Sequence, residues 1–119
     1  MPIGTWHHVV VDCAAPDVLA TFWTAVLGAE VAYRWKQYVM LAPTVPDGPA
    51  LCFQQVPEAR GAAKNRLHLD LAVADLDAAQ AQVEALGGSL ARAVVEDGID
   101  LRVCVDPEGN EFCLVRPDA

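Results

Sequence analysis

Basic side chains are scarce in this sequence. Eight Lys and Arg stand against 16 Asp and Glu in 119 residues, a net charge of −8, and no run of Lys or Arg interrupts the acidic balance. Polyanions are recognised through clustered positive charge, so nucleic acid and an anionic membrane surface are excluded as partners. Long apolar runs are also missing, none approaching the roughly 20 residues that cross a bilayer. The amino-terminal stretch Met1-Pro2-Ile3-Gly4-Thr5-Trp6-His7-His8 carries neither a basic n-region nor an apolar h-region, so export is not expected. Four cysteines are present, Cys13, Cys52, Cys104 and Cys113, with no C-x-x-C pair among them. A chain that is 54% hydrophobic needs no disulfide framework, and a reducing cytoplasm is the expected location. Charged residues at 20% beside that apolar fraction exclude intrinsic disorder. The length suits one domain, 1–119, with enough interior to fold without staples.

What the sequence does contain is an internal repeat, the feature that most constrains architecture. His8-Val9-Val10-Val11 matches His68-Leu69-Asp70-Leu71 at an offset of 60. Val26-Leu27-Gly28 matches Ala85-Leu86-Gly87, and Phe53-x-x-Val56 matches Phe112-x-x-Val115, both at 59 and in the same order. Halves of about 60 residues are too small to fold well alone. The repeat therefore predicts two similar modules fused around one shared core.

Each half reads as strand, helix and three strands. The first strand runs from Thr5 to about Asp12, and Pro16 with Asp17 opens a helix, proline suiting its first position and the carboxylate its positive end. Val18, Leu19, Phe22, Trp23, Val26 and Leu27 recur at helical spacing up to Gly28, a C-terminal cap. Strands are expected near Glu30–Trp35, Tyr38–Leu41 and Leu51–Val56. A polar linker, Pro57–Asn65, leads to a strand over Arg66–Val73 and a helix capped by Asp75, with Leu76, Ala79, Val83 and Leu86 on one face and Gly87-Gly88 at its end. Strands near Ser89–Val95, Ile99–Val105 and Glu111–Val115 follow, the last two joined by Asp106-Pro107-Glu108-Gly109, a type I turn signal.

This arrangement resembles the vicinal oxygen chelate superfamily, which includes glyoxalase I, extradiol dioxygenases, and the bleomycin and fosfomycin resistance proteins. The matching pieces are His8 before the Val-rich strand, Phe22-Trp23-x-x-Val26-Leu27-Gly28, Lys64-Asn65-Arg66-Leu67-His68-Leu69-Asp70-Leu71, and Asp106-Pro107-Glu108-Gly109-Asn110-Glu111-Phe112. Within the superfamily the chain is most similar to the short glyoxalase-like domains. The resemblance implies an α+β fold of two tandem βαβββ modules forming a curved mixed sheet around a groove, with the helices on the outer side. Module one would span about 1–57, the linker 58–65 and module two 66–119. The resemblance also implies a homodimer.

Alternation along each strand sorts its side chains onto two faces. Val9, Val11 and Cys13 take the helix side, leaving His8, Val10 and Asp12 opposite; Leu67, Leu69 and Leu71 do the same, leaving Arg66, His68 and Asp70. Phe112 and Leu114 pack inward, so Glu111, Cys113 and Val115 share the other side, and Phe53 places Cys52, Gln54 and Val56 likewise. In the resembled family four such strands each supply one metal ligand, commonly His, Glu, His and Glu. His8 and His68 match the histidine positions, whereas the carboxylate positions fall on Gln54 and Cys113. Two imidazoles, an amide oxygen and a thiolate suit Zn²⁺, Ni²⁺ or Fe²⁺, with Glu111 or Cys52 as substitutes. The other reading leaves both histidines as polar residues lining a metal-free pocket.

An amide has no basic lone pair, so Gln54 cannot abstract a proton. The glyoxalase I reaction is therefore disfavoured, and Glu111 and Asp70 are the candidate catalytic carboxylates. Extradiol dioxygenase chemistry lacks its third ligand unless Glu111 supplies it. Trp6, Trp35, Tyr33 and Tyr38 wall a pocket for a flat ligand or join the core, while Trp23 reads as core and His7, out of phase with His8, as structural. Arg66 anchors a substrate carboxylate or phosphate, or makes a surface ion pair. Two functions follow. One is a divalent-metal-dependent isomerase or lyase acting on a small oxygenated metabolite. The other is a metal-free sequestration protein, similar to the bleomycin resistance branch, for a small apolar or aromatic compound.

Overall fold

The structure, a computed structural model, describes residues 2–3, 6–63 and 65–116. The expected strand start at Thr5 and the linker residue Lys64 lie outside the described residues. The chain divides into two compact units, Met1–Gly61 and Ala62–Ala119. Each contains one strand, one helix and three strands, so the α+β class and the tandem βαβββ order are observed.

In the first unit β1 (His8–Cys13) is a run of β-branched residues, and Pro16 starts α1 (Pro16–Leu27) at the position where a missing N–H costs nothing. Gly28 ends α1 in the left-handed region at φ 66°, its N–H donating to the Thr24 carbonyl. Strands β2 (Val31–Trp35), β3 (Tyr38–Leu41) and β4 (Ala50–Gln55) complete a four-stranded sheet of order β1-β4-β3-β2, with β1 parallel to β4. Leu19, Ala20, Phe22 and Trp23 of α1 are buried with Val39, Leu41 and Phe53. Arg34, on the same side as Val39, pairs with Asp17 of α1 at 3.0 Å, which fixes the helix-bearing face.

The second unit repeats the plan with β5 (Leu69–Ala72), α2 (Leu76–Ala85), β6 (Ser89–Glu96), β7 (Ile99–Val105) and β8 (Glu111–Val115) in the order β5-β8-β7-β6. The Asp75 carboxylate caps α2 by accepting from the Ala78 N–H at 3.0 Å. Arg102 of β7 reaches across to α2, pairing with Asp77 at 2.9 Å and donating to Gln80. It shares that face with Phe112 and Leu114, so Glu111 and Cys113 point the other way. Hairpin β6–β7 turns on Asp97-Gly98, both at positive φ, the two-residue geometry that aspartate followed by glycine favours.

Three expectations are corrected. β5 begins at Leu69, not Arg66, because its parallel partner β8 begins at Glu111 and Leu69 already pairs with Phe112. Residues 66 and 67 fall beyond the ladder, and Leu67 is 85% exposed instead of packing under the helix. Leu86 is the C-cap residue of α2 and is exposed, since the helix ends one residue before it. No helix of the described residues is long and apolar enough to cross a membrane.

Candidate metal centre

On each sheet the face turned away from the helix presents one row of residues across all four strands. In the first unit the row is Asp12, Gln54, Tyr38 and Trp35; in the second it is Asp70, Cys113, Val103 and Arg92. The ladders thus equate Asp12 with Asp70 and Gln54 with Cys113. On this register His68 corresponds to Val10, so the sequence match of His8 with His68 is displaced by two positions. The similarity of the two leading segments aligned the histidines, whereas the hydrogen-bonded partners align the carboxylates.

His68 lies just ahead of β5, with Nε2 3.5 Å from a carboxylate oxygen of Asp70. Cys113, buried in β8 directly opposite Asp70, completes the group: one donor atom from each of His68, Asp70 and Cys113 lies within 4.8 Å of the others. Burial pushes the Cys113 thiol pKa up, and the charge of Asp70 and its hydrogen bond with the thiol push the same way, against the opposing pull of Arg92. Without a cation the sulfur is therefore protonated near neutral pH. Glu111 stands two residues before Cys113 on the same face and pairs with Arg92 at 3.7 Å. Arg92 was not singled out in the sequence; the irregularity between Leu90 and Arg92 shifts the phase of β6 and hides its face from simple alternation.

The first-unit candidates are arranged differently. His8 opens β1 opposite Ala50, whereas Gln54 sits opposite Asp12, four positions further on. At the rise of a strand that is about 13 Å, too far for one ion to bridge. The half-buried His8 ring stacks on His7 at 4.1 Å, and burial followed by the neighbouring imidazole lowers its pKa. Trp35 and Tyr38 are not core; they stack on each other at 5.9 Å with Lys36 4.7 Å above the indole, and Trp35 is 54% exposed. Tyr33 follows on the same face, while Trp6 and Arg66 are exposed outside any strand.

The donor chemistry of the second-unit group fits a divalent ion. Around a tetrahedral cation with bonds of about 2.0–2.3 Å, donor atoms stand roughly 3.3–3.8 Å apart, and the His68 to Asp70 separation already falls there. Three protein donors would leave a fourth position of a tetrahedral ion without a protein ligand, the count of catalytic rather than structural sites.

The sequence profile of the glyoxalase-like domain matches residues 8–115. The chain belongs to this family. With it comes membership of the vicinal oxygen chelate superfamily, as expected from the sequence. No curated protein matches the glyoxalase-like chain. Among solved structures it is similar to a glyoxalase/bleomycin resistance protein/dioxygenase family enzyme from Burkholderia phytofirmans, with TM-score 0.74 and 18% identity over 92% of this chain and 95% of that one. A glyoxalase-related enzyme from Fulvimarina pelagi gives TM-score 0.74 at 16% identity, covering 98% and 90%. A mutant of the fosfomycin resistance protein FosX from Listeria monocytogenes, complexed with Mn(II) and 1S,2S-dihydroxypropylphosphonic acid, gives TM-score 0.76 at 14% identity, covering 97% and 90%. At these identities the likeness is one of fold.

Proposed function

We propose that the glyoxalase-like chain is a divalent-metal-dependent isomerase or lyase acting on a small oxygenated metabolite. The observation that carries this reading is the convergence of His68, Asp70 and Cys113 on one face of the second unit. Mn(II) in the FosX complex supports metal dependence within the superfamily. A cation held there supplies Lewis-acid polarisation of a substrate oxygen and stabilises the negative charge that develops on it. His68, Asp70 and the buried Cys113 are the residues that would hold such an ion. Glu111 is the carboxylate placed to move a proton on the same face, with Arg92 countering its charge. Gln54 and His8, four register positions apart, are not assigned to the ion. Trp6, Trp35, Tyr38 and Arg66 remain the proposed substrate-binding residues, and a homodimer in the cytoplasm is the proposed context. The test is elemental analysis of untagged protein after reloading with zinc. About one equivalent, lost in His68→Ala, is expected; less than a tenth of an equivalent refutes the reading.

A second reading has its own observation, the exposed stack of Trp35 on Tyr38. It is a metal-free protein that sequesters a flat apolar or aromatic compound on that platform. A thermal-shift screen of aromatic metabolites separates the two, because a ligand of the folded state raises the melting point by mass action. Stabilisation that persists in chelator and is lost in Trp35→Ala is the outcome this reading expects; stabilisation abolished by chelator refutes it.

A further inference from the structure

We infer that this centre selects thiophilic divalent cations, zinc or cobalt, over oxygen-preferring manganese and magnesium, with Cys113 bound as a thiolate. The inference rests on reading His68, Asp70 and Cys113 as a cation site, and it concerns what the cysteine does to that site.

Cys113 occupies a central strand, flanked by Asp70 of β5 on one side and Val103 of β7 on the other, so its sulfur is fixed by two ladders. It is 8% exposed, whereas His68 and Asp70 are open to solvent. An ion reached from the solvent side therefore meets the imidazole and carboxylate first and the sulfur at the bottom. On binding, the Sγ–H proton leaves to solvent and the sulfur lone pair bonds the cation, as metal–thiol coordination requires. Thiolate and carboxylate together carry two negative charges and neutralise a divalent ion without further anionic donors. Magnesium and manganese favour shells built of oxygen. This face offers them a single carboxylate within the group, since Glu111 is turned to Arg92 at 3.7 Å. A sulfur donor and an imidazole shift preference toward zinc and cobalt, which also lie above manganese in intrinsic affinity. The equivalent row of the first unit, with Asp12 and Gln54, has neither sulfur nor imidazole at the corresponding positions.

Chelator-treated, untagged full-length protein is titrated with cobalt(II) and followed by absorbance. The expected result is a near-ultraviolet thiolate-to-cobalt charge-transfer band that saturates at one equivalent. Zinc displaces it, while about a hundredfold excess of manganese leaves it. Cys113→Ser, which conserves side-chain size, loses the band and weakens cobalt binding at least about tenfold. His68→Ala, at an exposed position, loses the band as well and covers the case in which Cys113→Ser fails to fold. Cobalt binding without the band, or equal competition by manganese, overturns the selectivity while the cation site stands, whereas a band that survives in Cys113→Ser places the thiolate on another cysteine and overturns both. Absence of any cobalt binding overturns both.

Discussion

Asp106 offers the clearest energetic test of how the second unit is put together. It is a 3% exposed carboxylate in the turn joining β7 to β8. One oxygen accepts from the Glu108 N–H at 2.9 Å, the Asn110 N–H at 3.0 Å and the Asn110 side-chain amide at 3.2 Å; the other accepts from that amide at 2.9 Å. Asp106→Ala removes all of these at once. A hydrogen bond to a charged partner contributes about 1.5–3 kcal/mol, and a buried donor stripped of its acceptor also bears its own desolvation. Glu108 and Asn110 are only half-buried, so water recovers part of the loss. A net destabilisation of about 3 kcal/mol follows, well below the sum of the separate bonds. At about 2.1 cal/mol/K per residue, a chain of 119 residues would melt roughly 12 °C lower. Asp106→Asn keeps one acceptor for the two backbone N–H groups but turns an NH₂ toward Asn110, and should lose about 1 kcal/mol. Urea denaturation followed by circular dichroism measures both. A loss below about 1 kcal/mol for Asp106→Ala would refute the argument, because the turn would then be held by its backbone bonds alone.

Phe53 and Phe112 are fully buried at repeat-related positions, so each replaced by alanine should lose about 3–5 kcal/mol, with the two losses within about 1 kcal/mol of each other in the same denaturation assay. His8 has a folded-state pKa below its ordinary value of 6.5, so the unfolded chain binds more protons between the two values; stability should fall as pH drops through 6.5 and level off below the folded value. His8→Gln should flatten that slope, and an unchanged slope would exclude this histidine as its source. If the ladders define the true equivalence of the halves, the double variant Val10→His with Gln54→Cys should raise cobalt stoichiometry from one to two, and stoichiometry fixed at one would count against it.

Much of the fold was legible because the repeat and the local signals agree. Pro16, Asp75, Gly28 and the Asp106 turn each mark a boundary by their own chemistry, and the structure places boundaries there. Strand β7 and strand β8 fall on the residues that alternation predicts. The errors arise where an end is set by a partner and not by the segment itself. Arg66 and Leu67 have the composition of a strand, but β8 begins too late to pair with them. The site shows the same division. Parity within one strand put Asp70 and Cys113 on a common face, while the alignment of His8 with His68 depended on a register between strands that composition does not encode. Sequence alone makes Asp70 a candidate catalytic carboxylate, because its closeness to both His68 and Cys113 comes only from β5 lying parallel to β8.

The two rows differ in the donors that they offer a cation. Each keeps an aspartate at its β1 or β5 position, so the carboxylate alone does not distinguish them. The neighbouring residue does. Gln54 offers a neutral amide that neither gives up a proton nor balances charge, and the next residues along, Tyr38 and Trp35, present aromatic surface. Cys113 offers a sulfur whose proton a cation can displace, with an imidazole two residues before Asp70 and a charged pair, Arg92 and Glu111, beside it. The two halves share a backbone frame in which the buried Phe53 and Phe112 pair with Val11 and Leu69 at equivalent ladder positions. On the face turned away from the helix the two rows differ: Tyr38 and Trp35 present aromatic surface in the first unit, whereas Cys113 stands beside Asp70 in the second.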